Sequence, residues 1–316
     1  MSHRNDNFNF SRRMISSRNY RRYEKAIDLM WNPRDLDYSQ DIEDWQKLDD
    51  NQREIILRIS TKFLAGEQRV AKEGAPVVIG ADALGQFDWV MYLSTFLLEE
   101  CKHAEFLAIW HQRVTGLLEP DEILPHYLER AMTQDPSGRF ELKDIVHEGI
   151  PHYNRLLLQA VLAGERGEIE RSLIRSFLTY NVIAEGVLTM PSYEIMIDTL
   201  NVYGGVCPTL RHGFQLILRD EGRHITSATR AIFELIQEHP EYADLVGEIF
   251  DEFRGNIVGL VEYQKANTML DLDKYQTQKV RHYRNRCREM SIPPDQELID
   301  QILDPSIDFV VDLAAG

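Results

Sequence analysis

A carboxylate and an imidazole three residues apart occur twice in this chain, as Glu100 and His103 within EECKH and as Glu221 and His224 within RDEGRH. On an α-helix that spacing sets both side chains on one face. One such pair is common on solvated helix surfaces and decides little. Here each copy follows a lone glutamate at nearly the same interval: Glu67 lies 33 residues before Glu100, and Glu185 lies 36 residues before Glu221. One Glu from each of two helices and Glu-x-x-His from each of two others make the ligand set of a di-iron or di-manganese carboxylate centre in a four-helix bundle.

The stretches that hold these residues read as buried helices. From Asp50, a candidate N-cap, to about Glu73 the apolar residues recur at helical spacing, with Glu67 among Phe63, Leu64 and Val70. From about Ala83 to Val114 the chain is apolar nearly all round until Glu99. Burying unpaired carboxylates there costs several kcal/mol or more, and coordination to a metal removes that cost. Glu185 sits in an apolar setting within a helix expected from Gly167 to Met190, which Pro191 should kink or interrupt. Gly204, Gly205 and Pro208 mark a turn before a helix from about Thr209 to Glu238 that carries Glu221 and His224.

Further helices are expected over Tyr20 to Met30, ended by Trp31-Asn32-Pro33, over 153–164, from Pro240 to about Met269, and over 274–290, ended by Pro293-Pro294. Pro120, Pro125 and the QDPSGR turn at 134–139 belong to a loop and short-helix region. No stretch alternates as a strand would, so the fold class is all-α. One domain over 1–316 is expected, with a polar N-terminal segment (about 1–18) and peripheral C-terminal helices (about 271–316).

The formal charge is −16, with 51 acidic against 35 basic residues, which argues against a groove for nucleic acid. No apolar run approaches the roughly 18 residues of a membrane span, and residues 1–24 are polar and Arg-rich, unlike a secretory signal. Cys101, Cys207 and Cys287 form no Cys-x-x-Cys pair, which suits a reducing cytoplasm. Cys101 follows Glu100 directly and points about 100° away around the helix, so it is read as packing and not as a ligand.

Four carboxylates and two neutral imidazoles carry a charge of −4, which two divalent ions cancel. Hard carboxylates with few imidazoles suit iron and manganese. Asp220, next to Glu221, is placed to accept the outer N–H of a ligand histidine. His111, His147, His152 and His212 lack the paired spacing and are read as surface or structural.

With these motifs in view, roughly residues 20–270 resemble the ferritin-like superfamily and, within it, the ribonucleotide reductase small subunit and its relatives. The chain is most similar to the ligand-binding oxidases of that group. The resemblance implies a homodimer with a ferritin-like bundle and a manganese/iron cofactor, with di-iron as the alternative. It also implies reaction with dioxygen and a long-chain fatty acid bound at the metals. Glu67, Glu100 and His103 would hold manganese, Glu185, Glu221 and His224 iron, and Glu100 would bridge. An ether cross-link would join Val70 to Tyr180; the pairing rests on the family, because five residues of α-helix turn Tyr180 about 140° away from Glu185.

A reductase subunit is the alternative, but typical small subunits carry a radical Tyr four residues after the first ligand His, where this chain has Leu107. Trp31 matches the position of an electron-transfer Trp and is compatible with both readings. Ile217 stands where N-oxygenases of the superfamily have an extra His, and iron-storage bundles are generally much shorter chains. The region between His103 and Glu185 departs from the oxidase pattern in being longer.

Overall fold

The computed structural model describes residues 10–119, 122, 138–261, 269–307 and 310–311. Among them the architecture is helical apart from a parallel pair of two-residue strands, Leu260–Val261 with Val310–Val311. The helices that build the site are α1 (Arg18–Asp28), α2 (Asp50–Glu73), α3 (Phe87–Trp110), α4 (Arg166–Phe177), α5 (Met190–Val202), α6 (Pro208–Glu238) and α7 (Leu272–Met290). Between α4 and α5 the chain stays helical over Leu178–Thr189 but with π geometry.

Two apolar layers sandwich one polar layer. Along α3, Trp89, Tyr92 and Phe96 belong to one core, Glu99, Glu100 and His103 follow, and Phe106, Leu107 and Trp110 belong to the other. Helix α6 runs through the same layers in reverse: Leu210, Phe214 and Ile217, then Asp220, Glu221 and His224, then Ala228, Ala231 and Ile232. Leu107 is thus fully buried apolar core. At full burial each large apolar side chain contributes about 1.5–3 kcal/mol, so the flanking layers supply the stability that a buried acidic layer consumes. Helices α3 and α6 approach closely at Gly213, where any Cβ would overlap the Phe106 ring.

Local chemistry sets the ends of these helices. Asp49, not Asp50, caps α2: its side chain accepts from Gln52 N at 2.8 Å while Gln52 Oε1 accepts from Asp49 N at 3.1 Å. The apolar run expected from Ala83 to Val114 is broken at Leu84-Gly85, where Gly85 takes φ 73°, so Ala75–Ala83 is a separate helix. After Trp110 a π-turn over His111–Thr115 ends at Gly116 with φ 77°. Gly204 and Gly205, at φ 98° and 76°, make the turn before α6. Buried Asp41 holds the start of α6, accepting from Thr209 N and Leu210 N, both at 2.8 Å, and from Trp110 Nε1 at 2.9 Å.

Pro191 lies in the first turn of α5, where its missing N–H costs nothing, and the π geometry ends just before it. The helix expected from Pro240 onward is divided into a 3₁₀ turn (Pro240–Tyr242) and two helices, Ala243–Glu252 and Arg254–Val258. Its expected continuation over 262–268, like Pro120, Pro125 and most of the QDPSGR turn, lies outside the described residues. Among the described residues no helix is long and apolar enough to cross a membrane.

Candidate metal centre

The polar layer brings together all six residues of the doubled motif. Two sets of donors each converge within 4.8 Å: Glu67, Glu100, His103 and Glu221 in one, Glu100, Glu185, Glu221 and His224 in the other. Glu100 belongs to both, as a bridging carboxylate must. Glu221, expected with the second set only, belongs to both as well. Every one of the six is buried.

Each imidazole turns Nδ1 inward. His103 Nδ1 lies 3.5 Å from Glu67 and 3.3 Å from Glu221, and His224 Nδ1 lies 3.0 Å from Glu100 and 3.3 Å from Glu221. These inner atoms are not aligned as hydrogen bonds: His103 Nδ1, His224 Nδ1, Glu100 Oε1, Glu185 Oε1 and Glu221 Oε2 are buried and make none among the described residues. Five buried polar atoms that aim lone pairs at two common points, with a net demand for positive charge, fit two cations.

Without cations, protons take their part. Burial pushes Glu100 up to about 8, with the charge of Glu221 adding to the effect. Glu185 is pushed well above the carboxylate range by burial and by Glu221 and Glu100. Burial disfavours a charged imidazole, yet Asp220, Glu221 and Glu67 together raise His103 well above its usual value. Glu221, Glu100 and Glu99 do the same for His224 against the same opposition. Burial works against Glu221 as well, but the two imidazoles hold it down at about 2. Metal binding at such a site therefore displaces protons.

The outer nitrogens follow a reciprocal plan. His103 Nε2 lies 3.3 Å from Asp220 on α6, and His224 Nε2 lies 2.9 Å from Glu99 on α3. Each acid directly precedes the metal-facing glutamate of the opposite motif. A cation precedes each histidine: Lys102 Nζ donates to Asp220 at 2.8 Å, and Arg223 donates to Glu99 and, at 2.8 Å, to Asp220. Trp31 Nε1 also donates to Asp220, at 2.8 Å, and Lys102 sits 4.7 Å from the Trp31 ring centroid. Asp220 thus lies where the sequence placed it. Glu99, Lys102 and Arg223 went unassigned, although both copies share one signature, acid-Glu-x-base-His.

One cavity opens on this layer, lined by Glu67, Glu100, Glu185 and Glu221 together with Val70 and Tyr180. The π geometry explains how Tyr180 arrives there. Its hydrogen bonds run between residues five apart, so Tyr180 and Glu185 stack on one face, and the 140° offset of an α-helix does not apply. The Tyr180 hydroxyl is buried and makes no hydrogen bond among the described residues. In the same segment Asn181 Nδ2 donates to Glu185 at 2.8 Å. Tyr193, from α5, donates to Glu67 at 2.9 Å and was not singled out in the sequence.

The other expectations divide. Cys101 is exposed, so it points away from the centre but does not pack in the core. His152 and His212 are exposed, and His147 lies 3.0 Å from Asp144 at a helix start. His111 is buried against Trp110, with ring centroids 5.3 Å apart, a structural position.

Residues 13–284 match the family model described as ribonucleotide reductase, small chain. The chain belongs to that family. Among solved structures it is similar to a single-site variant of the R2-like ligand-binding oxidase with an aerobically reconstituted Mn/Fe cofactor. The identity is 25%, the match covers 88% of this chain and 94% of that one, and the TM-score is 0.72. A second variant of that oxidase, with an anaerobically reconstituted Mn/Fe cofactor, matches at 25% identity and TM-score 0.71 over 88% of this chain and 94% of that one. The ferritin-like bundle expected from the doubled motif is therefore the fold of this small-chain family member.

Proposed function

We propose that this member of the small-chain family is a dioxygen-activating oxidase with a dinuclear Mn/Fe centre held by Glu67, Glu100, His103, Glu185, Glu221 and His224. The observation that carries this reading is the convergence of those six side chains into two donor sets that share Glu100 and Glu221. Two redox-active ions held by these residues would supply electrons for the reduction of dioxygen. The chain's own residues supply the rest. Asp220 and Glu99 hold the two imidazoles with Nδ1 inward. Tyr193 orients Glu67, and Asn181 orients Glu185. The apolar layers on either side exclude bulk water.

Support for the ligand-binding oxidase reading over a reductase subunit comes from Leu107, which leaves the expected radical position apolar, and from the shared cavity of Val70 and Tyr180. The oxidase reading includes an ether bond between the Tyr180 oxygen and a Val70 carbon. One C–H and one O–H bond are lost, and the two electrons and two protons pass to dioxygen. Among the described residues the Tyr180 hydroxyl has no competing hydrogen-bond partner to give up. The reading also includes a long-chain fatty acid, whose carboxylate would meet the cations. As it stands the cavity measures about 70 Å³, so the acyl chain has to displace lining side chains such as Phe63 or Val146.

Peptide mass analysis tests the reading. Aerated, Mn- and Fe-loaded protein should yield one joined peptide pair, lighter than its parts by two hydrogens, whereas anaerobic protein and Tyr180→Phe should yield separate peptides. Separate peptides from fully metallated, aerated wild type would end the oxidase assignment. Nucleotide reduction with a matching large subunit would replace it with the reductase reading.

A further inference from the structure

An electron-rich indole stands one imidazole away from the donor layer. The Trp31 ring stacks on His103, with 6.5 Å between centroids and 20° between planes. Its Nε1 donates at 2.8 Å to Asp220 Oδ2, the same oxygen that lies 3.3 Å from His103 Nε2. Indole is among the most easily oxidised side chains, so Trp31 competes with Tyr180 and Val70 for any oxidant that forms at the metal pair. The balance is the same on both routes. Ether formation delivers two electrons and two protons to dioxygen, and so does addition of a water oxygen to the Trp31 ring.

Charge sets the outcome of that competition. The first electron to leave Trp31 makes the ring cationic, and Lys102 Nζ lies 4.7 Å from the ring centroid. The attraction of an ammonium for the neutral ring becomes repulsion once the ring carries charge. Lys102 is buried, so solvent screens that repulsion weakly. Lys102 also donates at 2.8 Å to Asp220 Oδ2, and so offsets the negative charge that would otherwise stabilise an oxidised indole. Both effects have one sign. Arg223 and Arg219 pair with Asp220 Oδ1, at 2.8 and 3.5 Å, and leave Oδ2 to Lys102 and Trp31.

We propose that Lys102 keeps Trp31 reduced and so directs oxidation at the metal centre to Tyr180 and Val70. The inference rests on the dioxygen-activating reading given above. Lys102 acts through Trp31 and touches no reacting atom, so it is a positioning residue for this selectivity.

The test loads the full chain with Mn and Fe, measures metal content, admits air and analyses the digest by mass. Fragmentation separates an oxygen added to the Trp31 ring from one on the adjacent Met30. In the wild type Trp31 should stay unmodified. Lys102→Met, compared at equal metal content, should show about tenfold or more Trp31 carrying an added oxygen, with a matching fall in the joined Val70 and Tyr180 peptides. Lys102→Arg keeps the cation and should restore both quantities to wild-type levels, which a merely structural role for the ammonium would not require. Tyr180→Phe gives a check that leaves Lys102 in place: with the ether bond blocked, Trp31 should still stay unmodified. Unmodified Trp31 in metal-loaded, aerated Lys102→Met would overturn the proposal, and if the wild type forms the joined pair, the oxidase reading would stand without it. Oxidised Trp31 in the wild type or in Tyr180→Phe would overturn it as well. A wild type without the joined pair, beside a Lys102→Met that oxidises Trp31, would sink the ether assignment and support the role of Lys102.

Discussion

Lys102 and Lys279 are both buried lysines on long helices, and the chain treats them differently. Lys102, on α3, lies 2.8 Å from Asp220 in the central polar layer. Lys279, on α7, is fully buried and donates to the Gly259 carbonyl at 2.6 Å. At the centre charge is matched across helices in alternating shells: inner carboxylates, imidazoles, outer carboxylates, outer cations. On α7 no countercharge meets the ammonium among the described residues, and burial lowers its pKa to about 7. Burial lowers both lysines, but Asp220 opposes it at Lys102, and no described carboxylate does so at Lys279.

The sharpest way to break the central arrangement is to remove a donor that serves both sets. Glu221→Ala should lose both metals, because Glu221 belongs to both sets, whereas Glu67→Ala touches one set and should retain close to one equivalent. Elemental analysis after dialysis distinguishes them. Equal losses in the two variants would contradict the sharing of Glu221.

The next test compares the outer carboxylates. Asp220→Asn and Glu99→Gln should each weaken metal binding by about 10- to 100-fold, as loss of an orienting partner does. Their effects on metal-free stability should differ. Asp220→Asn removes the direct ion pair of buried Lys102, and breaking such a pair costs about 3–5 kcal/mol. Glu99→Gln costs less, since Arg223 keeps Asp220 as its partner at 2.8 Å. Urea unfolding of both metal-free variants gives the order, and a larger loss for Glu99→Gln would reverse this account.

What was legible in the sequence follows from the same chemistry. Coordination restricts residue type and spacing, so the six residues that converge in the polar layer could be singled out before any fold was in view. Asp220 was reachable because it adjoins Glu221. Glu99 holds the same place in the other copy, but beside Glu100 it reads as one more acid, and only the alignment of EECKH with DEGRH shows its role. Tyr180 was placed by family resemblance, since the switch to π geometry lies in backbone hydrogen bonding that no side-chain pattern marks. Tyr193 reaches Glu67 across 126 residues, a contact that depends on how α5 packs against α2. The start of the stretch expected from Ala83 to Val114 was misjudged because apolar residues continue through the Gly85 turn, so hydrophobicity alone could not show the break.

The other buried lysine, Lys279, makes stability depend on pH. Folded Lys279 releases its proton near pH 7, and the unfolded chain holds it to about 10.5. Between those values the unfolded state binds more protons, so folding stability rises with pH, by up to about 1.4 kcal/mol per unit. Lys279→Met removes the titrating group and the cost of burying it. The variant should be the more stable protein near neutrality, and the gap should close as pH rises toward 9.5 and the wild type buries a neutral amine. Thermal midpoints of the two proteins across that range check the difference directly, because other titrating groups are common to both. A gap that stays constant with pH would mean that Lys279 keeps its charge when buried. It would then need a countercharge as Lys102 does, and the contrast between the two lysines would fail.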